Sequence, residues 1–221
     1  MKIVIITQNE SLYLPDSIDY LISILPKHSE VVGCVVSDFN TFGKKESIIK
    51  QAIKTFNTFG LKFFVYYCVK FILSKFQNSN KFENILKKNM IDIIRLNKHI
   101  NHKESVDIIK KYKPDLLISI LSNQIFKKPI INLAPKGCLN LHTALLPKYR
   151  GLMPTFWVMK NNERYTGVSV FFADEGIDSG PIVVQERVEI GDKTQKELIK
   201  YTKKVGMEAI AKAIDLIEKD Q

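Results

Sequence analysis

The stretch Lys2-Ile3-Val4-Ile5-Ile6-Thr7, together with Val31-Val32-Gly33-Cys34-Val35-Val36-Ser37 a short way downstream, decides the fold. Both runs are continuously apolar and lack the alternation of a half-solvated strand, so each predicts a strand covered on both faces. Pro15 to Leu25 predicts a helix between them. Buried strand, helix, buried strand is the signature of α/β architecture. The expectation is a doubly wound, mostly parallel, Rossmann-like sheet with helices on both faces.

Working outward, a helix-like region follows Lys44 to about Asn78, and Met90 to Leu96 predicts a third strand. Lys103 to Tyr112 reads as a helix stopped by Pro114, and Asp115 to Ile120 as a fourth strand. Further strands are expected at Cys138 to His142, Gly167 to Phe172 and Ile182 to Val188. Lys193 to Lys219 predicts a closing amphipathic helix, with Leu198, Tyr201, Val205, Ala209, Ala213 and Leu216 recurring every three or four residues. The 221 residues suit one domain, 1–221, with a basic, apolar helical insertion around 44–80 and the closing helix at 193–219.

The net charge of +10 is unevenly placed. Residues 44–113 carry 16 basic and 5 acidic groups, which exceeds the whole imbalance of the chain. Such a field suits nucleotide phosphates, a polyglutamylated cofactor, RNA or a membrane surface, or else is a set of solvated lysine-rich faces. Three cysteines without C-x-x-C spacing read as reduced core residues. The opening apolar run is too short for a signal peptide, which makes a cytoplasmic protein the expectation. Leu61 to Phe76 is apolar almost all round yet interrupted by Lys62, Lys70 and Lys75, too short and broken to span a bilayer. It reads as a buried helix, a homodimer contact, or a peripheral membrane contact.

The chemistry concentrates in Leu139-Asn140-Leu141-His142 and the turn Leu145-Leu146-Pro147-Lys148-Tyr149-Arg150-Gly151. Alternation puts Asn140 and His142 on one side of a strand, and Pro147 and Gly151 end it, so an amide and an imidazole project at a strand end. A second polar loop, Ala173 to Pro181, brings Asp178. An oxyanion donor, a proton carrier and an orienting carboxylate together suit acyl transfer to a nitrogen, with the attacking amine belonging to the substrate. Asp174 and Asp178, with Glu175, and His99 with His102 lack the further ligands a metal site needs, so no metal is expected. The first loop, Thr7 to Tyr13, contains no glycine and no G-x-G-x-x-G or P-loop, which speaks against a nicotinamide or nucleoside-triphosphate enzyme.

Asn140-Leu141-His142, Leu145 to Gly151, and the Asp174-Glu175-Gly176-Ile177-Asp178-Ser179-Gly180 loop together resemble the formyltransferases that use N10-formyltetrahydrofolate. The resemblance is strongest from about Pro114 to Glu189. It implies a folate-dependent one-carbon transferase with Asn140, His142 and Asp178 as catalytic residues. It also implies a pterin slot between the loop after the fourth strand and the aspartate loop, assigning donor-binding roles to Asn123, Gln124, Ile125, Phe126, Leu145, Asp174 and Gly176. One departure is Ala144, where the family commonly has a small hydroxyl residue; Thr143 stands beside it.

For the acceptor, the glycine-free first loop, the Arg150 to Trp157 continuation and the chain's end near the closing helix look most similar to enzymes that formylate a nucleotide-linked amino sugar. Asn9 and Lys148 are the candidate acceptor contacts. Methionyl-tRNA formyltransferase-like and glycinamide ribonucleotide formyltransferase-like activities are the alternatives, tRNA remaining an open partner. A non-catalytic folate-binding protein is the reading from another class.

Overall fold

The computed structural model describes residues 1–8, 10, 12–37, 47–66, 68–69, 81–122 and 124–219. Among the described residues seven strands form one sheet: β1 (Lys2–Gln8), β2 (Glu30–Ser37), β3 (Asp92–Ile94), β4 (Leu116–Ile120), β5 (Cys138–His142), β6 (Tyr165–Phe172) and β7 (Ile182–Glu189). Their order is β3-β2-β1-β4-β5-β6-β7. The strands from β3 to β5 are parallel; β6 and β7 are antiparallel to their neighbours. The chain therefore moves outward from β1, returns to β4, and leaves a switch point between them, beside which α/β sheets place their ligands.

The helices are α1 (Leu14–Ser23), α2 (Ile48–Phe59), α3 (Lys81–Lys88), α4 (Lys103–Lys110), α5 (Lys128–Ile131), α6 (Pro154–Lys160) and α7 (Gln195–Glu218), with residues 61–66 also helical. Sequence periodicity passed over α3, α5 and α6, each of eight residues or fewer, too short to establish a helical period. Within β1, Ile3 and Ile5 enter one core cluster and Val4 and Ile6 the other. The first cluster includes Leu14, Ile18, Phe82, Leu86, Met207 and Ile210, the second Ile100, Ile109, Phe126 and Ile130. Helices therefore cover both faces, which is why these strands carry no polar alternation.

Two expectations need correction. Of the stripe expected on α7, Leu198, Ala209 and Ala213 are buried and Val205 and Leu216 pack half-buried against the core, but Tyr201 is exposed, and Ile199, Thr202, Lys203, Gly206, Met207, Ile210 and Ile214 are buried as well. Polar and small residues at Thr202, Lys203 and Gly206 hide part of that buried face from a hydrophobicity count. Lys203 is buried beside Glu10, its Nζ 3.4 Å from the carboxylate; burial lowers its pKa and Glu10 opposes that shift. The second correction concerns Leu61 to Phe76, of which residues 67 and 70–76 lie outside the described residues. Leu61, Val65 and Tyr66 are exposed, so the fully buried reading fails. This segment packs on α2, Phe56 meeting Phe64 edge-on with centroids 5.9 Å apart, instead of being enclosed in the core. Among the described residues no helix is long and apolar enough to cross a membrane.

Cys34 and Cys138 are buried, and burial pushes both thiols up to about 12. At pH 8 a thiol reagent should therefore modify them only after denaturation, while Cys68, half-buried, reacts in the native protein; mass spectrometry of labelled peptides reads this directly. Gly167 gives a packing test. A Cβ there would lie 2.3 Å from both the Glu186 carbonyl oxygen of β7 and Leu145 Cδ2. Gly167→Ala should cost about 1–3 kcal/mol and lower Tm by roughly 2–10 °C in a thermal melt.

Candidate active site

β5 delivers Asn140 and His142 at the sheet's carboxyl edge, one strand beyond the switch point. Its neighbour β6 is antiparallel, pairing Asn140 with Phe171, so the loop leaving β6 at Phe172 starts beside Asn140. That geometry brings Asp178 to the pair. Asp178 Oδ1 accepts from Asn140 Nδ2 at 3.4 Å, and Oδ2 accepts from the Gly151 N–H at 2.8 Å and faces His142 Nδ1 at 3.4 Å. His142 is buried, and its Nε2 lies 2.7 Å from the Tyr149 carbonyl oxygen. A carbonyl only accepts, so Nε2 carries hydrogen and Nδ1, on Asp178, is the position left to gain or lose a proton. Asn140 Nδ2 has two hydrogens, and the long contact to Asp178 engages one.

The turn after β5 doubles back to make these contacts. Tyr149, Gly151 and Met153 have φ of 57°, 88° and 56°, and the peptide between Leu146 and Pro147 is cis. Asp178 has φ of 48° and Leu121, in the loop after β4, 57°. Side chains cost about 1–3 kcal/mol each in such conformations, so the surrounding contacts must hold them. Ser169 of β6 supplies one such anchor: its hydroxyl donates to the Ala144 carbonyl at 2.7 Å and accepts from Leu146 N and Gln185 Nε2 at 3.1 and 2.9 Å. The hydroxyl organising this turn thus comes from the neighbouring strand, and Ala144 itself is fully buried.

The expected donor-binding residues divide. Ile125 is half-buried, and its carbonyl accepts from Asn101 Nδ2 at 2.7 Å. Gln124 is buried, its side chain bridging the Ile100 N–H and Ser37 Oγ, and Phe126 belongs to the second core cluster. Their side chains brace the loop from beneath instead of lining its surface. Asp174 accepts from Gly176 N at 3.0 Å and from Ser179 Oγ at 2.8 Å, which shapes the aspartate loop. Asn123 and Asn9 lie outside the described residues.

Leu145 and Lys148 fall on a separate cavity of about 310 Å³, which Arg164, Tyr165, Thr166 and Arg187 also line. Its Arg187 guanidinium lies 3.6 Å from the Tyr165 ring centroid. Sequence reading missed Arg187, because a strand arginine gives no sign of the loop it will meet.

Sequence reading also missed Glu10, whose carboxylate accepts from the backbone N–H groups of Leu12, Tyr13 and Leu14. A helix start is an anion site; here the chain's own carboxylate occupies it.

Among the described residues no three His, Cys, Asp or Glu side chains gather as metal ligands. The Asp174 and Asp178 carboxylates are engaged as above, and His102 caps α4 through the Glu104 N–H.

Comparison with known proteins follows the same lines. The chain is 39% identical over 120 residues to a protein named methionyl-tRNA formyltransferase from Kosmotoga olearia, an alignment covering 52% of this chain and 39% of that one. It thus matches about two fifths of the length of the relative. Among solved structures, phosphoribosylglycinamide formyltransferase from Anaplasma phagocytophilum superposes over 100% of this chain and 88% of its own, with a TM-score of 0.70 at 13% identity. A sugar N-formyltransferase from a Shewanella species does so over 100% and 71%, with a TM-score of 0.62 at 18% identity. At these identities the superpositions speak for a shared fold. Residues 1–214 match the family described as Formyl transferase, and with the sheet order and the Asn140–His142–Asp178 cluster already in place, the chain belongs to the formyl transferase family.

Proposed function

We propose that this chain transfers a formyl group from N10-formyltetrahydrofolate to a primary amine, most closely the amine of a nucleotide-linked amino sugar. The convergence of Asn140, His142 and the Gly151 N–H on the Asp178 carboxylate carries this reading. The donor supplies an activated formyl carbon. Half-buried Ile125 and exposed Ile177, on the two loops flanking Asn140, offer the apolar faces a flat pterin needs, with backbone groups of those loops to read its edge.

As the acceptor amine attacks, the uncommitted hydrogen of Asn140 Nδ2 donates to the oxygen that gains charge. Nδ1 of His142 takes up the proton the amine loses, directly or through water, and Asp178 stabilises the imidazolium across 3.4 Å. The same proton is then available to the departing nitrogen. Gly151 and Tyr149 hold carboxylate and imidazole in register from the backbone, so the pair is preorganised.

Support for an anionic acceptor comes from the cavity that Lys148, Arg164 and Arg187 line beside the Leu145 to Gly151 turn. Arg164 is held by Glu189 at 3.5 Å and Glu163 accepts from the Tyr149 hydroxyl at 2.7 Å, which leaves Lys148 and Arg187 as the cations that match a nucleotide's phosphates. A second reading, formylation of methionyl-tRNA, is favoured by the name of the Kosmotoga relative.

A panel of amines decides: amino sugars on dTDP, UDP and GDP, methionyl-tRNA, and glycinamide ribonucleotide, each with N10-formyltetrahydrofolate. The expected result is turnover on one nucleotide-linked amino sugar. Turnover on methionyl-tRNA alone replaces it with the second reading, and folate binding without transfer to any amine marks a non-catalytic binding protein. Asn140→Ala should lower kcat about 100-fold to 1000-fold with an unchanged melting curve, since a preorganised oxyanion donor contributes about 2.7–4 kcal/mol. Lys148→Ala should raise KM for a nucleotide-linked acceptor about tenfold with little change in kcat, the pattern of lost ground-state binding.

A further inference from the structure

Among the parts of the chain that the site does not use are α2 and the helical residues after it. Ile49, Ile53 and Phe56 recur along one side of α2, and Leu61, Val65 and Val69 follow at intervals of four. All six are between 44% and 71% exposed. Ser47 starts α2 by accepting from the Lys50 N–H, and Gly60, with φ of 81°, ends it. The Gly60 break and the Phe56–Phe64 contact fold the second helical segment against the first. The unit is tied to the body through Phe63, which meets Phe156 of α6 edge-on at 5.4 Å.

Its charge is one-sided. From Ser47 to Asn80 the sequence contains Lys50, Lys54, Lys62, Lys70 and Lys75 and no aspartate or glutamate. Lys50, Lys54 and Lys62 are exposed, and each directly follows an exposed apolar residue, Ile49, Ile53 or Leu61. One residue is about 100° around a helix, so these lysines flank the apolar stripe, where their stems can lie along it and their ammonium groups reach outward.

We propose that α2 and the helical segment beginning at Leu61 dock the protein on an anionic lipid bilayer surface. The six apolar side chains enter the acyl boundary, and Lys50, Lys54 and Lys62 meet the headgroup phosphates. A stripe of large aliphatic and aromatic groups bordered by lysines without carboxylates is the composition of a helix lying in a bilayer interface. A second copy fits less well. A two-fold contact through this face would set lysine-bearing surfaces against each other with no carboxylate in 47–80 to neutralise them. An RNA backbone answers the lysines but leaves six large apolar groups unserved.

Cosedimentation of the full chain with vesicles tests this, comparing phosphatidylglycerol-containing vesicles with pure phosphatidylcholine. The expected result is binding to the anionic vesicles that weakens with salt. Lys50→Gln with Lys54→Gln and Lys62→Gln should reduce it on the order of a hundredfold, at about fivefold per lysine. Ile53→Asp with Val65→Asp should abolish vesicle binding while turnover on a soluble acceptor and the melting curve stay unchanged. Equal binding to neutral vesicles, no vesicle binding, or binding that survives Ile53→Asp with Val65→Asp overturns the proposal. A concentration-dependent dimer that the same pair of substitutions dissolves, in a protein that ignores vesicles, also overturns it, in favour of a subunit contact.

Discussion

The Asp178 carboxylate is the contact through which the site's separate parts become one. It receives the backbone N–H of Gly151 at 2.8 Å and the Asn140 amide at 3.4 Å, and it lies 3.4 Å from His142 Nδ1. One of these partners is a turn, the other two a strand end, so the carboxylate ties the loop between β6 and β7 to both. A buried imidazole whose Nε2 is committed to a carbonyl can exchange a proton only at Nδ1, and that atom is the one facing Asp178.

Holding that carboxylate costs the backbone regularity. Tyr149, Met153 and Asp178 all take left-handed conformations, as does Leu121 in the loop after β4. Such residues persist where neighbours over-determine them. Here Ser169 satisfies its full hydroxyl capacity on the Ala144–Leu146 turn, and Leu145 closes over Gly167, where no side chain would fit. The antiparallel pair β6–β7 is therefore part of the site's support as well as the edge of the sheet.

The start of α1 and the surface of α2 use charge differently. At the start of α1 the Glu10 carboxylate occupies the helix's own amides and meets Lys203, a lysine that α7 buries. Along α2 the lysines are solvent-exposed, and the sequence from 47 to 80 contains no carboxylate up to Glu83 other than none in that span. An ion pair closed within the fold leaves little field outside it, whereas unpaired surface lysines project one. Lys50, Lys54 and Lys62 belong to the second kind.

The sequence by itself determined the class of sheet and most strand positions, and it singled out Asn140, His142 and Asp178 as candidate site residues. Continuous apolar runs at β1, β2 and β4 can be buried only between two helical layers, and the strand period places Asn140 and His142 on one side without knowledge of any neighbour. Short helices such as α3 and α6 escaped because one or two turns carry no period, and part of the inner stripe of α7 escaped because Thr202, Lys203 and Gly206 lie on it beside the expected Leu198, Ala209 and Ala213. Only the tertiary structure decided that β6 runs antiparallel to β5 and so delivers Asp178 beside Asn140. It alone turned Gln124 and Phe126 inward as braces, took the turn's hydroxyl from Ser169, and left the apolar faces of α2 and residues 61–66 outside the core. Each of these depends on which segment packs against which, and local residue patterns carry no record of a partner far away in the chain.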